Sequence, residues 1–436
     1  MKSVKIFFLA FLFLFLTRVI FAQVSQTQIE FANRMFKVVK EICEKDNGKL
    51  WGQNLWGPIL IINNDTRFIV ANEKDNEGVL KESGKVFIGD FPPNKIFAYS
   101  SVFIFGKQWA TIAYPMYTGD SLEMKRTFIH EMFHSLQEKI KIGNLAYSND
   151  HIDKKIARIC LQLECNALKK AITSSGKEQE DAICDALLFR TCRRKQFAGS
   201  DSMENRFELQ EGLAFYTELK LGSDSENYMQ KKLYKGVNTL MNEESYFRIF
   251  GYYTGASYAY LNDISGVCWK KLLNNKSDLS EICRTSFNIN FPANIDSAYE
   301  VRKFSNNYEE ISKNENSREE KIIKRNKELK DKFTAKPLLI INCNNDCSYI
   351  IHQVYTVDSL GYYYPNTQLS GPWGILNVPK EDEGCLISLD YSKAYVPYIN
   401  VKKEGNKIYC DLWELFLEKN WIIKEIDGNY TIIEEN

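Results

Sequence analysis

A chain of 436 residues, 44% of them hydrophobic, carries enough apolar material for two or so domains and lacks the composition of a disordered protein. Its 56 basic residues balance its 56 acidic ones, so no broad electrostatic field draws nucleic acid or an anionic membrane. Partners must be read from individual sites, and no nucleic-acid partner is expected.

The chain opens with Lys2 and Lys5, an unbroken apolar run from Ile6 to Leu16, then Thr17-Arg18 and a small residue at Ala22. That is the form of a secretory signal peptide over 1–22, with a mature start near Gln23, and it implies a secreted or periplasmic protein. The run is too short to cross a bilayer, Arg18 interrupts it, and no later stretch is long and apolar enough for a span. No stable membrane span is therefore expected once the signal is removed. Eleven cysteines leave at least one thiol unpaired. Cys343 and Cys347 flank the turn Asn344-Asn345-Asp346 and are the local pair best placed for a bridge. The rest read equally well as small buried apolar residues.

Residues 26–43 have Ile29, Phe31, Met35, Phe36, Val39 and Ile42 at helical spacing. Strands follow at Ile59–Ile62 and Phe68–Ala71 around the turn Asn63-Asn64-Asp65-Thr66, and at Val86–Phe91 before Pro92-Pro93. A second hairpin joins Ile96–Phe105 to Gln108–Pro115 through Gly106-Lys107. The pattern then turns helical near 120–142, 152–174, 178–196, 202–221, 226–241 and 247–263. A small antiparallel sheet followed by helices predicts an α+β domain over 23–295. Residues 296–335 are charged, with Glu320 and Lys324, and Glu328 and Lys332, four apart as on a solvated helix, and read as a helical connector. Strands at Leu338–Asn342, Tyr349–Tyr355, Cys385–Leu389, Ile399–Lys402 and Trp421–Ile423 predict a separate all-β domain over 336–436.

Only four histidines occur, His130, His134, His151 and His352, and the first two stand four apart with Glu131 following the first. On a helix that spacing stacks both imidazoles on one face, where they can reach one metal ion. Glu131 lies about 100° further round, close enough to touch a metal-bound water without occupying the metal. Asp120 with Glu123 three later forms a capping box, and Phe128, Met132, Leu136 and Ile140 make an apolar stripe at spacing four, so the segment is predicted to be a helix.

A hydrolytic zinc site needs a third protein ligand and an open position. The residues after His134 are Ser135-Leu136-Gln137, which excludes a third histidine on an x-x-Gly-x-x-His extension. His151 and His352 stand in no supporting helical pattern. Glu211, in Phe207-Glu208-Leu209-Gln210-Glu211-Gly212-Leu213-Ala214-Phe215-Tyr216, and Glu164, in Leu161-Gln162-Leu163-Glu164-Cys165, both sit on apolar helix faces. Each would need a partner there, either a metal or a buried arginine such as Arg158, Arg190, Arg193 or Arg194. Gly212 would let its helix approach the histidine helix closely.

The runs His130-Glu131-Met132-Phe133-His134 and Glu211-Gly212-Leu213-Ala214-Phe215-Tyr216 resemble the gluzincin metallopeptidases, the thermolysin-like clan. That resemblance implies a zincin-like catalytic domain, Zn2+ as cofactor, metal ligands His130, His134 and Glu211, and Glu131 as catalytic base. The sequence departs from the aminopeptidase pattern at Gln210, where asparagine is usual, and has a long interval between His134 and Glu211; Glu164 therefore stays open as the alternative ligand. Over 120–270 the chain is similar to uncharacterised exported bacterial proteins with the same metal motif. The function implied is a zinc metallopeptidase acting on a peptide or protein substrate, with a zinc-bound water activated by Glu131. Tyr216, Tyr252, Tyr253 and Tyr258 are the candidates to stabilise the oxyanion. Trp109–Tyr114 is a candidate strand for pairing with an extended peptide. The rivals are a binding or structural protein that keeps the metal site, and a metal-dependent hydrolase of non-peptide esters or amides.

Overall fold

In a computed structural model the protein is described over residues 26–435, except Pro93, Asn94, Ile96, Asn144, Asp224, Lys336, 344–346, His352, Gln353 and 380–383. The expected signal peptide 1–22, the start at Gln23 and His352 lie outside the described residues. The architecture is α+β: a small sheet, a helical middle region and an all-β carboxy-terminal part. The chain divides into two compact units between Glu315 and Asn316. That division falls inside the stretch 296–335.

The first unit begins with helix α1 over 26–46. Strands β1 (Ile59–Asn63), β2 (Phe68–Ala71), β3 (Lys81–Ser83), β4 (Val86–Asp90), β5 (Ser100–Ile104) and β6 (Lys107–Tyr114) form one sheet in the order β3-β4-β2-β1-β6-β5. Neighbours are antiparallel except β1 and β6, which run parallel with Ile59 opposite Ala110. Both faces are covered. Ile59 and Ile61 join the core beneath the helices, whereas Leu60 and Ile62 point the other way into a second cluster with Trp109 and Phe91. Trp109–Tyr114 is not open to an added strand: β1 pairs with Ala110–Tyr114 and β5 with Lys107–Thr111. The hairpin through Phe105 and Gly106, both at positive φ (53° and 71°), gives β6 one neighbour, and the parallel pairing with the sequence-distant β1 takes its other side and leaves β5 as the edge.

Helix α2 (Ser121–Ile140) follows, then α3 (Lys155–Thr173), α4 (Gly176–Gln196) and α5 (Ser200–Phe207). A π-helical turn, Glu208–Gly212, joins α5 directly to α6 (Leu213–Gly222), where one regular helix was expected. Helices α7 (Glu226–Met241), α8 (Phe250–Ile264), α9 (Leu279–Ser286), α10 (Ile295–Arg302) and α11 (Tyr308–Thr334) complete the series. Asp120 caps α2 by accepting from the Leu122 N–H at 2.8 Å. Glu123 does not close the expected capping box; it pairs with Arg126 and Lys232. The inward face of α2 buries Phe128, Ile129, Met132, Phe133 and Leu136, each worth about 1.5–3 kcal/mol of transfer free energy. That burial is what anchors the helix to the sheet.

The second unit holds two sheets. One runs in spatial order Trp421–Ile426, Asn429–Glu434, Leu338–Asn342, Lys393–Pro397, Cys385–Ile387, Gly361–Tyr364 and Tyr355–Val357. The other runs Lys402–Glu404, Lys407–Tyr409, Glu414–Leu417, Gly374–Val378, Thr367–Gly371 and Ser348–Ile351. Leu339, Ile341, Leu369, Leu376, Val396, Trp413 and Leu415 fill the core between them. The expected strand Tyr349–Tyr355 is two strands, one in each sheet, and Ile399–Lys402 is largely a connection between strands. The expected Cys343–Cys347 bridge is not formed, and all eleven thiols are free. The Cys343 thiol points to the Ile341 carbonyl, and the neighbouring Cys347 and then Tyr349, against burial, bring it down to about 7.

Candidate metal centre

Helix α2 sets His130 and His134 one turn apart with their ring centroids 4.8 Å from each other, both buried beside the apolar face that docks on the sheet. The third group arrives from the π turn. One Glu211 carboxylate oxygen, Oε2, lies 3.3 Å from His130 Nε2 and 3.4 Å from His134 Nε2. One ligand atom from each of His130, His134 and Glu211 falls within 4.8 Å of the others, a group able to hold a metal ion.

The outer nitrogens of both rings are already engaged. His130 Nδ1 is 2.9 Å from Glu218 Oε2, and His134 Nδ1 is 2.8 Å from Gln137 Oε1. Acceptors at both Nδ1 atoms favour Nδ1–H tautomers, which leave the two Nε2 lone pairs converging on the same space as Glu211. The donor set therefore fits a tetrahedral divalent ion with one position left over. Burial alone would disfavour a charged His130, yet the carboxylates of Glu211, Glu218 and Glu131 raise its pKa well above the ordinary value. The same histidines hold Glu211 far below the usual carboxylate range despite its burial. Three carboxylates around two imidazoles form a local field that attracts a cation.

Glu131 is 6% exposed, and its Oε2 has no hydrogen-bond partner among the described residues. A buried carboxylate oxygen left unpaired costs about 1–3 kcal/mol or more, so its neighbourhood must offer something else. Burial pushes the Glu131 carboxyl up, and Glu211 and Glu218 add to this against the opposing pull of His130 and His134. A raised carboxyl pKa beside a cation site suits a proton acceptor that must also give the proton back.

Of the four tyrosines considered, only Tyr252 reaches the triad. Its ring stacks on His130 at 5.8 Å and 12°, and its hydroxyl feels the negative charge of Glu211. Burial and Glu211 push its pKa far up, so it remains a proton donor. Tyr216 gives its hydroxyl to Asp263 at 2.5 Å, Tyr258 gives its own to Glu164 at 2.9 Å, and Tyr253 packs on Phe215 and against Gly236. Tyr147, which drew no attention in the sequence, stacks on Phe207; burial and then Glu211 push it up to about 12.

Glu164 lies in a different place. It accepts from Arg190 Nε at 2.7 Å, from Arg193 and from Tyr258, with no exposure. Burial raises its pKa, but Arg190 and Arg193 outweigh burial and hold it down. The network continues through Arg190 to Glu208, which also accepts from Thr254 at 2.5 Å, and through Arg193 and Arg194 to Glu204. His151 is absorbed here too, 2.9 Å from Glu204.

Gly212 makes a close approach, but not to the histidine helix. A Cβ there would lie 2.6 Å from the Gly251 carbonyl and 2.7 Å from Gly255 Cα, so the contact is with α8. That crossing is what carries Tyr252 over His130. Glu218 and Gln137 escaped notice in the sequence, although each had a signal: Glu218 follows Glu211 by two helical turns, and Gln137 is a polar residue one turn beyond His134 on a buried face. Comparison of the chain with protein-family models, with curated proteins and with solved structures gives no match in any of the three.

Proposed function

We propose that the protein is a zinc-dependent metallohydrolase, and specifically an exported peptidase of gluzincin type. The observation that carries this reading is the unpartnered, buried Oε2 of Glu131 beside a two-histidine, one-glutamate ligand set with a position to spare. A purely structural zinc site closes with four ligands and has no use for such a base. His130 and His134 through Nε2, with Glu211 through its carboxylate, would hold the ion.

Zinc, when bound, supplies a Lewis acid that polarises a carbonyl and acidifies water. Glu131 removes a proton from the attacking water, and its raised pKa lets it pass that proton to the leaving nitrogen as the C–N bond breaks. Tyr252, stacked on His130 with its hydroxyl kept protonated, donates a hydrogen bond to the carbonyl oxygen as negative charge builds there. Glu218 and Gln137 hold the two rings in one tautomer.

A peptide is favoured over a small ester by the position of β5. Its outer edge pairs with no other strand among the described residues, and Ser101 Oγ stands 2.9 Å from Ser135 Oγ, next to His134. An extended chain added to that edge would pass the metal ligands. The test is Glu131→Gln, assayed on a mixed peptide library with and without chelator. Bound zinc is expected to persist at one equivalent while chelator-sensitive hydrolysis disappears; retained turnover in the variant removes Glu131 from the role of base.

A further inference from the structure

One side chain of the histidine helix reaches the backbone of the π turn. Gln137, 1% exposed, donates from Nε2 to the carbonyls of Leu209 at 2.7 Å and Gln210 at 3.1 Å. Those two acceptors fix which way its amide faces, so Oε1 is the atom 2.8 Å from His134 Nδ1. A carbonyl oxygen can only accept; His134 must therefore carry its proton on Nδ1 and present Nε2 as a lone pair. Gln210 Nε2 lies 3.0 Å from the same Nδ1. Two donors cannot face each other, so the Gln210 amide turns its oxygen there when His134 is in this tautomer.

The other end of Gln137 answers a need created by the π turn. The Leu213 N–H reaches back five residues to the Glu208 carbonyl, where a regular α-helix would send it to the carbonyl of Leu209. Gln137 gives the Leu209 carbonyl a donor. Glu211 sits two residues further on, so the backbone that aims its carboxylate is clipped to α2 at that point.

We infer that Gln137 is a positioning residue that holds two of the three metal ligands in register, His134 through its ring and Glu211 through its backbone. This rests on the metal-centre reading above. A glutamine that merely filled the core would need neither end tied to a ligand; Gln137 has one end on a ligand ring and the other on the turn carrying the second ligand.

The experiment compares the full-chain protein with Gln137→Leu, Gln137→Glu and His134→Ala. It measures the zinc Kd by competition with a chromophoric chelator and the visible spectrum of the cobalt(II)-loaded form. Gln137→Leu is expected to weaken zinc binding by roughly 10–100-fold and to alter the cobalt bands. Gln137→Glu keeps an acceptor for His134 but offers no donor to Leu209, so its Kd should fall between wild type and Gln137→Leu. Wild-type affinity and spectrum in both Gln137 variants overturn the inference and leave the metal centre standing. A His134→Ala protein that binds zinc as tightly as wild type overturns both. If Gln137→Leu does not fold, Gln137→Glu against wild type still decides, because an unchanged Kd and spectrum there remove the coupling.

Discussion

The carboxylate of Glu218 lies 2.9 Å from His130 Nδ1, on the same helix that leads away from Glu211. One helical face thus provides a ligand and, two turns later, the hydrogen-bond partner of a different ligand. Glu218→Gln, which keeps an acceptor but not the charge, should weaken zinc binding by about tenfold, and Glu218→Ala by more. Chelator competition measures both; equal affinity in all three proteins would show that His130 needs no outer partner.

Glu211 and Glu164 should separate cleanly when each is changed to alanine. Glu211→Ala is expected to lose bound zinc, since it removes one of three ligands. Glu164→Ala should keep its zinc while losing about 3–5 kcal/mol of stability, because it leaves Arg190 and Arg193 buried without that partner. Metal analysis and urea unfolding on the same samples read the two effects independently. Zinc lost only from Glu164→Ala reverses the ligand assignment.

Gly212→Ala tests the crossing with α8. The added methyl meets the Gly251 carbonyl and Gly255 Cα, backbone atoms that cannot rotate away. A cost of about 1–3 kcal/mol is expected, together with a lower kcat as Tyr252 is pushed off the site. Thermal unfolding and peptide turnover check it; an alanine protein indistinguishable from wild type would mean the helices have more room than their spacing shows.

A pH-dependent part of stability sits at Asp263. Burial pushes this carboxyl up, but hydrogen bonds from Lys270, Tyr216 and Lys220 overcome that and bring it to about 2, below its ordinary 3.8. A depressed carboxyl stabilises the fold above its unfolded pKa, and the benefit disappears as pH falls through the folded value. Asp263→Asn should therefore be less stable than wild type at pH 7, by on the order of 1–2 kcal/mol. The gap should be unchanged at pH 5 and should narrow between pH 3.8 and about 2. Trp269, whose Nε1 donates to Asp263 at 2.8 Å, reports the unfolding by fluorescence. A gap that is constant down to pH 2 would assign the loss to packing.

What could be read before any coordinates was whatever local geometry dictates. Two histidines four apart on a helix must share a face, and His130 and His134 do. The second hairpin, expected to turn at Gly106-Lys107 and found one residue earlier at Phe105-Gly106, and the pairing of the strands expected at Ile59–Ile62 and Phe68–Ala71 are equally local. Direction across the fold was not legible. Gly212 announces a close approach without saying to which helix, and the exposed edge passed from β6 to β5 because strand order is a long-range property. Ile399 and Val401 look like strand residues, but Ile399 is 52% exposed and faces no partner sheet. Short strands such as Gly361–Tyr364 and Lys407–Tyr409 are too brief for alternation to register.

The extra residue accommodated in Glu208–Gly212 also acts as a change of phase. Inserting one residue into a turn rotates everything after it by roughly 100° relative to everything before. Glu204 before it and Glu208 at its start aim at arginines; Glu211 near its end and Glu218 beyond it aim at histidines. A chain shortened by that single residue would keep every one of these carboxylates and lose the direction in which half of them point.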